Sequence, residues 1–321
     1  MRYIVPALFL LTLFSCDNSV DILEEPKDIP IVYGILSAVD TAHYIRVERA
    51  FASDNVSALD LARDPAALYY DNATVTLING NDRFDLERID ATIDGYPRQE
   101  GVFAQSPNIL YKINNSDINL KEGETYSLEI DRNIESLPIV RASTNIVGES
   151  SIRSPQTILN FDSNTFTSFS WREGEFSSLF DLYMDFNYRE RIKGSGDPYA
   201  PKVVRWKIAS DVEVTRLDIQ GLQFYSFLAG AILADEDTER VFENVDLILD
   251  SGSAEIKDFI RVSEANLGIT SSQDIPTFTN LSEGRGIFGS LYREVKENIQ
   301  LNNRTLDSLK MGSITRDLNF N

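Results

Sequence analysis

One thiol and one imidazole are all that this 321-residue sequence offers for cysteine- or histidine-based chemistry: Cys16 and His43. A Ser-His-Asp site would have to use His43. It lies in Thr41-Ala42-His43-Tyr44 at a strand start, and no Gly-x-Ser-x-Gly elbow occurs. Zinc held by several histidines is excluded for want of ligands. Carboxylates are abundant, so a hydrolase using an unrecognised carboxylate pair is one reading. The pair Asp181 and Asp185, on the wet face of one strand pattern, spans about 13 Å at about 3.3 Å per residue. Glycosidases need roughly 5–9.5 Å between their two carboxyl groups. No Asp-x-Asp-x-Asp-Gly loop supports calcium. The run Gly284-Arg285-Gly286-Ile287-Phe288-Gly289 has the glycines of a phosphate loop, but no Lys-Ser or Lys-Thr follows. It reads instead as a glycine-rich turn between strands, with Ile287 and Phe288 packed inward. The expectation is a protein with no catalytic set, cofactor or metal.

Cys16 ends an apolar run. Met1 to Ser15 (MRYIVPALFLLTLFS) has a positive start at Arg2, an apolar segment from Ile4 to Leu13 and the small residue Ser15. That is the pattern of a secretory signal over residues 1–15, too short to span a bilayer as a helix. Leu13-Phe14-Ser15-Cys16 resembles the lipobox of bacterial lipoproteins, although Phe14 is bulkier than the commonest residue at its position. The resemblance implies a diacylglyceryl group on the Cys16 sulfur, cleavage before Cys16 and acylation of the new amino terminus. The plainer alternative is a buried free cysteine in an ordinary secreted protein. Three acyl chains exceed the two signals that stable anchoring needs. With Cys16 consumed, the mature chain has no thiol for a disulfide, a thiolate metal site or a nucleophile.

The 30 basic and 50 acidic residues give a net charge of −20. Loss of residues 1–15 removes Arg2 and no acid, leaving −21. Such a chain is repelled by nucleic acid and has no polybasic membrane patch. A solvated, repulsive surface is the simple consequence.

Residues 16–30 form a polar, acidic stretch that reads as a tether. From Ile31 the pattern becomes strands. Tyr44 to Arg49 alternates, with Tyr44, Arg46 and Glu48 on one face and Ile45, Val47 and Arg49 on the other. Ala73 to Ile78 runs into a hairpin turn at Asn79-Gly80. Gly101 to Phe103, Ile109 to Ile113, Leu120 to Ile130 and Val140 to Val147 read as further strand segments. Ala58 to Tyr70 reads as a helical insertion broken at Pro65. These short strands predict a mainly β protein with an amino-terminal β-sandwich over 31–148, of Ig-like or carboxypeptidase-regulatory-like type. A second β-rich domain is expected over 149–321. Its signals are the alternation Phe180, Leu182, Met184, Phe186, Tyr188, then Val203 to Ile208, Val245 to Leu249 and Tyr292 to Glu297. Two helices are expected: an all-round apolar one at 222–234, and one at 254–266 with Ile256, Phe259, Ile260 and Val262 on one face and Ser253 as cap.

The ordered motifs carry a second resemblance. They are the lipobox, Ile31-Val32-Tyr33-Gly34-Ile35-Leu36, Tyr44-Ile45-Arg46-Val47, Ala73-x-Val75-x-Leu77 and Gly101-Val102-Phe103. Leu120-x-x-Gly123-x-Thr125-Tyr126-x-Leu128-x-Ile130 and Asn280-x-x-x-Gly284-x-Gly286-Ile287-Phe288-Gly289 complete the set. Together they resemble a family of Bacteroidota outer-membrane lipoproteins known as domain of unknown function 4249, over about residues 30–300. That resemblance implies an amino-terminal sandwich, an outer-membrane address and a neighbouring TonB-dependent transporter. It supplies no catalytic residues.

Three smaller features complete the reading. Tyr69-Tyr70, and Tyr188 near Tyr199, could form a ligand-stacking platform or be ordinary packing. Trp171 and Trp206 are expected in the core of the second part. Asp40-Thr41-Ala42 and Asp307-Ser308-Leu309 resemble the short O-glycosylation motif of exported Bacteroidota proteins, making Thr41 and Ser308 candidate acceptors. The expected function is a non-enzymatic, lipid-anchored outer-membrane accessory protein working with a TonB-dependent barrel. The alternative is a free-standing surface lipoprotein that binds glycan or peptide.

Overall fold

A computed structural model describes residues 28–50, 57–267 and 277–321. The signal segment, Cys16 and most of the tether lie outside the described residues. The protein is mainly β, as the alternation predicts. The first half runs β1 (Pro30–Leu36), β2 (Ala42–Arg49), α1 (Ala58–Arg63), α2 (Pro65–Leu68), β3 (Thr74–Asn79), β4 (Asp82–Asp85), β5 (Glu87–Asp90), β6 (Ile109–Asn114), α3 (Asn115–Ile118), β7 (Thr125–Asp131) and β8 (Val140–Asn145). The second runs β9 (Ser151–Ser154), β10 (Ile158–Leu159), β11 (Phe166–Arg172), β12 (Leu179–Ile192), β13 (Ala200–Val212), β14 (Arg216–Gln220), α4 (Gly221–Ala231), β15 (Thr238–Gly252), α5 (Ala254–Leu267), β16 (Arg285–Leu301) and α6 (Asn303–Met311).

Among the described residues the strands form three sheets. The largest has the order β13-β12-β15-β16-β1-β2-β6-β5, with β10 also on β16. The others are β4-β3-β7-β8 and β14-β11-β9. In the first half, two sheets share one core. Val32, Ile45, Val47 and Tyr111 come from one layer, and Val75, Leu77, Tyr126, Leu128, Ile130 and Val140 from the other. Strict alternation puts these side chains on the inner faces, and their burial drives the layers together. The β3–β4 hairpin pairs Asn79 with Asp82, so Gly80-Asn81 is its two-residue loop, with Gly80 at φ +57°. Pro65 ends the first helical turn set and starts α2, where its missing N–H costs nothing. In the second half, Phe180, Leu182, Met184, Phe186 and Tyr188 of β12 pack with Phe169 and Trp171 of β11 and Phe224 and Leu228 of α4.

The halves are joined by β16. Its first residues pair parallel with β1, Tyr33 opposite Ile287 and Gly34 opposite Phe288. Its later residues pair antiparallel with β15, Asp250 opposite Arg293. Phe288 thereby completes the core of the first half from the far end of the chain. The expected glycine-rich turn is therefore corrected: residues 285–289 lie inside β16. Gly286 is at φ +117°, and a Cβ there would meet the Val32 carbonyl oxygen at 1.9 Å, so the glycine permits close strand approach. Asn280 supports the same strand. Its side chain accepts from the Phe288 N–H (3.0 Å) and donates to the Phe288 carbonyl (2.7 Å).

Four local expectations change. Asp28, Ile29 and Pro30 belong to the body, so the tether is shorter than 16–30; the Ile29 carbonyl accepts from the Ala50 N–H at 2.8 Å. Residues 101–103 form bends with no strand partner. The first helix is Gly221–Ala231, and only Gly221, Phe224, Tyr225 and Leu228 are buried along it, because only one side rests on the sheets. Leu222 and Leu233 face solvent. Ser253 stands at the cap position of α5, its carbonyl accepting from the Lys257 N–H at 3.1 Å, but its hydroxyl accepts from the Ser290 N–H of β16 at 3.3 Å.

Candidate functional site

Two neighbouring features near the tether junction stand out: a buried ionic clasp and an exposed aromatic face. The clasp centres on Asp28. Arg132, at the end of β7 with its side chain 2% exposed, donates to Asp28 Oδ1 at 2.8 Å and to the Pro138 carbonyl at 2.7 Å. The Tyr70 hydroxyl donates to the same carboxylate at 2.5 Å. Arg49 lies 3.4 Å from Asp28 Oδ2 and covers the Tyr70 ring at 4.5 Å. Burial, reinforced by Asp28, pushes the Tyr70 phenol up to about 12, so it stays a donor at any physiological pH. A buried guanidinium without its carboxylate would be costly, so the cluster pins the chain where it enters β1.

The aromatic face is the outer side of β1, β2 and β6. The inner side faces the sandwich core, so residues of the other parity point out. Tyr33 is 45% exposed and Ile35 40%. Tyr33 stands opposite Arg46, and Tyr44 opposite Lys112. The segment after β5 folds over this side. Tyr96, 62% exposed, lies 6.3 Å from the Tyr44 ring centroid. Glu48 is buried and gripped by Arg98 at 2.6 Å and Arg46 at 3.0 Å. Arg46 also donates to Asn108 Oδ1 at 2.9 Å. Arg98 covers the ring of Phe103, itself exposed, at 4.5 Å. The Ala104 N–H donates to the Ala62 carbonyl, tying this segment to α1. The result is a surface of rings interleaved with paired cations.

The outer side of β12, β13, β15 and β16 is different. Arg205 forks onto Asp185 with both bonds at 2.6 Å, and Arg293 onto Asp250 likewise. Lys207 pairs with Asp181 at 3.5 Å, and Tyr183 donates to Asp181 at 2.8 Å. Burial, then Asp181, raises the Tyr183 phenol to about 12. Asp181 and Asp185 are thus each tied to cations.

The sequence candidates fall as follows. Tyr69, Tyr70 and Tyr188 are buried, so they form no stacking platform. Tyr199 is covered by Arg191 at 4.2 Å. His43 is 1% exposed, its Nε2 3.1 Å from Asn115 Oδ1, and burial lowers its pKa. Thr41 is exposed in the turn before β2. Ser308 is half-buried in α6, and its carbonyl accepts from the Thr315 hydroxyl at 3.1 Å. Trp171 is buried and Trp206 half-buried, both in the second core. Cys16 lies outside the described residues. An open groove of about 610 Å³ beside β8 is lined by Glu129, Arg141, Ser143 and Asn280. Its Arg141 is already bonded to Glu129 at 2.9 Å. No group of three or more His, Cys, Asp or Glu among the described residues is placed to hold a metal. No helix among them is long and apolar enough to cross a membrane. Sequence reasoning missed the clasp and the exposed rings. Parity had placed Tyr44, Arg46 and Glu48 together on one face of β2, and that was the available signal.

No family model matches the chain, and no curated protein matches it.

Proposed function

We propose that this protein is a lipid-anchored, non-enzymatic accessory protein of the outer membrane, held by acyl chains on Cys16 and working beside a TonB-dependent transporter. The observation that carries the reading is the clasp. The chain that follows Leu13-Phe14-Ser15-Cys16 enters the body through a largely buried Asp28–Arg132–Tyr70–Arg49 cluster, which fixes the point where a tether from Cys16 would attach. The motif resemblance to the Bacteroidota lipoprotein family supplies the outer-membrane address and the transporter. The test is affinity purification of tagged, full-length protein from native membranes. A stoichiometric TonB-dependent barrel and an acylated amino-terminal peptide are expected. Purification alone, with Cys16 unmodified, would contradict both parts.

A second reading has its own support. The rings of Tyr33, Tyr44 and Tyr96 are of a kind that stacks on sugars or peptides, which favours a free-standing surface binder. Binding of the purified protein on a glycan or peptide array, lost in Tyr96→Ser, would select that reading.

A further inference from the structure

We infer that the outer face of β1 and β2, with the 92–104 segment, seats on the interfacial layer of the lipid bilayer and so fixes how the anchored body is oriented. This rests on the lipid-anchored reading above.

Position comes first. Residues 16–27 reach at most about 40 Å when fully extended at about 3.3–3.6 Å per residue. The clasp at Asp28 ends that reach at the start of β1. The outward residues of β1, Ile31, Tyr33 and Ile35, follow within a few positions. This face therefore begins where the leash ends.

Composition comes second. Tyr33, Ile35, Tyr96 and Phe103 are exposed together, with Tyr44 half-buried among them. Exposed contiguous apolar surface marks an interaction face. Rings with one apolar body and one polar tip suit the boundary between headgroups and acyl chains.

Charge comes third. The chain left after loss of residues 1–15 carries −21, which opposes approach of most of its surface to an anionic leaflet. On this face, Arg46, Arg98 and Lys112 are balanced by Glu48, Asp94 and the exposed Glu100, with Lys112 3.9 Å from Asp94. The face is close to neutral, so a membrane can approach it. The seating is apolar rather than electrostatic, and it should not depend on anionic lipid or on salt.

The experiment uses the acylated full-length protein on phosphatidylcholine vesicles. Lipidated Cys16 leaves no other thiol, so a nitroxide can be placed singly at Ile35→Cys or Tyr96→Cys, with Val203→Cys on the outer side of β13 as reference. On vesicles, accessibility of the Ile35 and Tyr96 labels to a water-soluble relaxation agent should fall severalfold relative to the same protein in detergent. The Val203 label should not change. Raising the salt or adding anionic lipid should leave the pattern intact. An acylated protein whose three labels stay equally water-exposed overturns the seat and leaves this face to a protein or glycan partner. Mass measurement of the amino-terminal peptide on the same sample separates that outcome from loss of the anchor. An unacylated Cys16 sinks the anchor reading and the seat with it.

Discussion

One sheet presents two unlike outer surfaces, and β16 is the strand they share. Over β12, β13, β15 and β16 the outward charges meet across strands: Arg205 with Asp185, Arg293 with Asp250, Lys207 with Asp181. That surface is finished, because its donors and acceptors already have partners in place. On β1 the outward positions carry Tyr33 and Ile35, 45% and 40% exposed, beside Gly289 of β16, where Ile256 of α5 closes in. Both surfaces obey the same alternation. What differs is whether the cross-strand neighbours satisfy one another. Surplus apolar area, rather than charge, distinguishes the surface available for contact.

β16 locks the two halves into one sheet, lying between β15 and β1. Phe288→Ala breaks this most severely. It removes a fully buried ring from the first core, and a cost of about 3–5 kcal/mol is expected. Urea unfolding measures it, and a change under about 1 kcal/mol would mean that the first half stands without β16. Asp28→Ala comes next. It leaves the Arg132 guanidinium buried with only carbonyl partners, for an expected loss of about 2–3 kcal/mol by the same measurement.

His43 sharpens the picture of the first half through pH. Its folded pKa lies below the ordinary 6.5 because burial disfavours the cation, with Asn115 and Asp40 opposing that shift. The unfolded chain therefore binds the proton more readily than the folded one. The sign follows: this contribution to stability is full above about pH 6.5 and is lost as pH falls through and below it. Denaturant midpoints should decline over that window in the wild type and less steeply in His43→Gln.

The smallest effects on stability come from exposed positions on either surface. Arg205 is 56% exposed, and solvent screening reduces the value of its pair with Asp185. Arg205→Ala should change stability by less than about 1 kcal/mol and leave membrane contact untouched. Tyr33→Ser should be similarly mild for stability, within about 0.5 kcal/mol. It differs in one respect: contact with vesicles should weaken.

Much of the fold was legible from local pattern. The run from Phe180 to Tyr188 alternates in sequence and in burial, and Pro65 divides the helical insertion at the position where the backbone divides. What could not be read was long-range. The β1–β16 pairing joins residues some 250 positions apart, and nothing in either segment names the other. Glycines at 284, 286 and 289 signal a turn by composition, yet Gly286 serves close approach to Val32. The clasp joins Asp28 to Arg132 across 104 positions, so no spacing could reveal it. Tyr69-Tyr70 attracted notice because the rings are adjacent, but the body buries both. The exposed Tyr33 and Tyr96 and the half-buried Tyr44 are scattered in sequence, and only sheet register and the fold of the segment after β5 gather them.

The most direct test of the contrast is hydrogen exchange on the acylated protein, compared between vesicles and detergent. The account predicts slower exchange on vesicles in peptides covering residues 92–104, with no change over 181–189 or 244–250. Protection confined to the β12–β15 side, or no difference at 92–104, would contradict it.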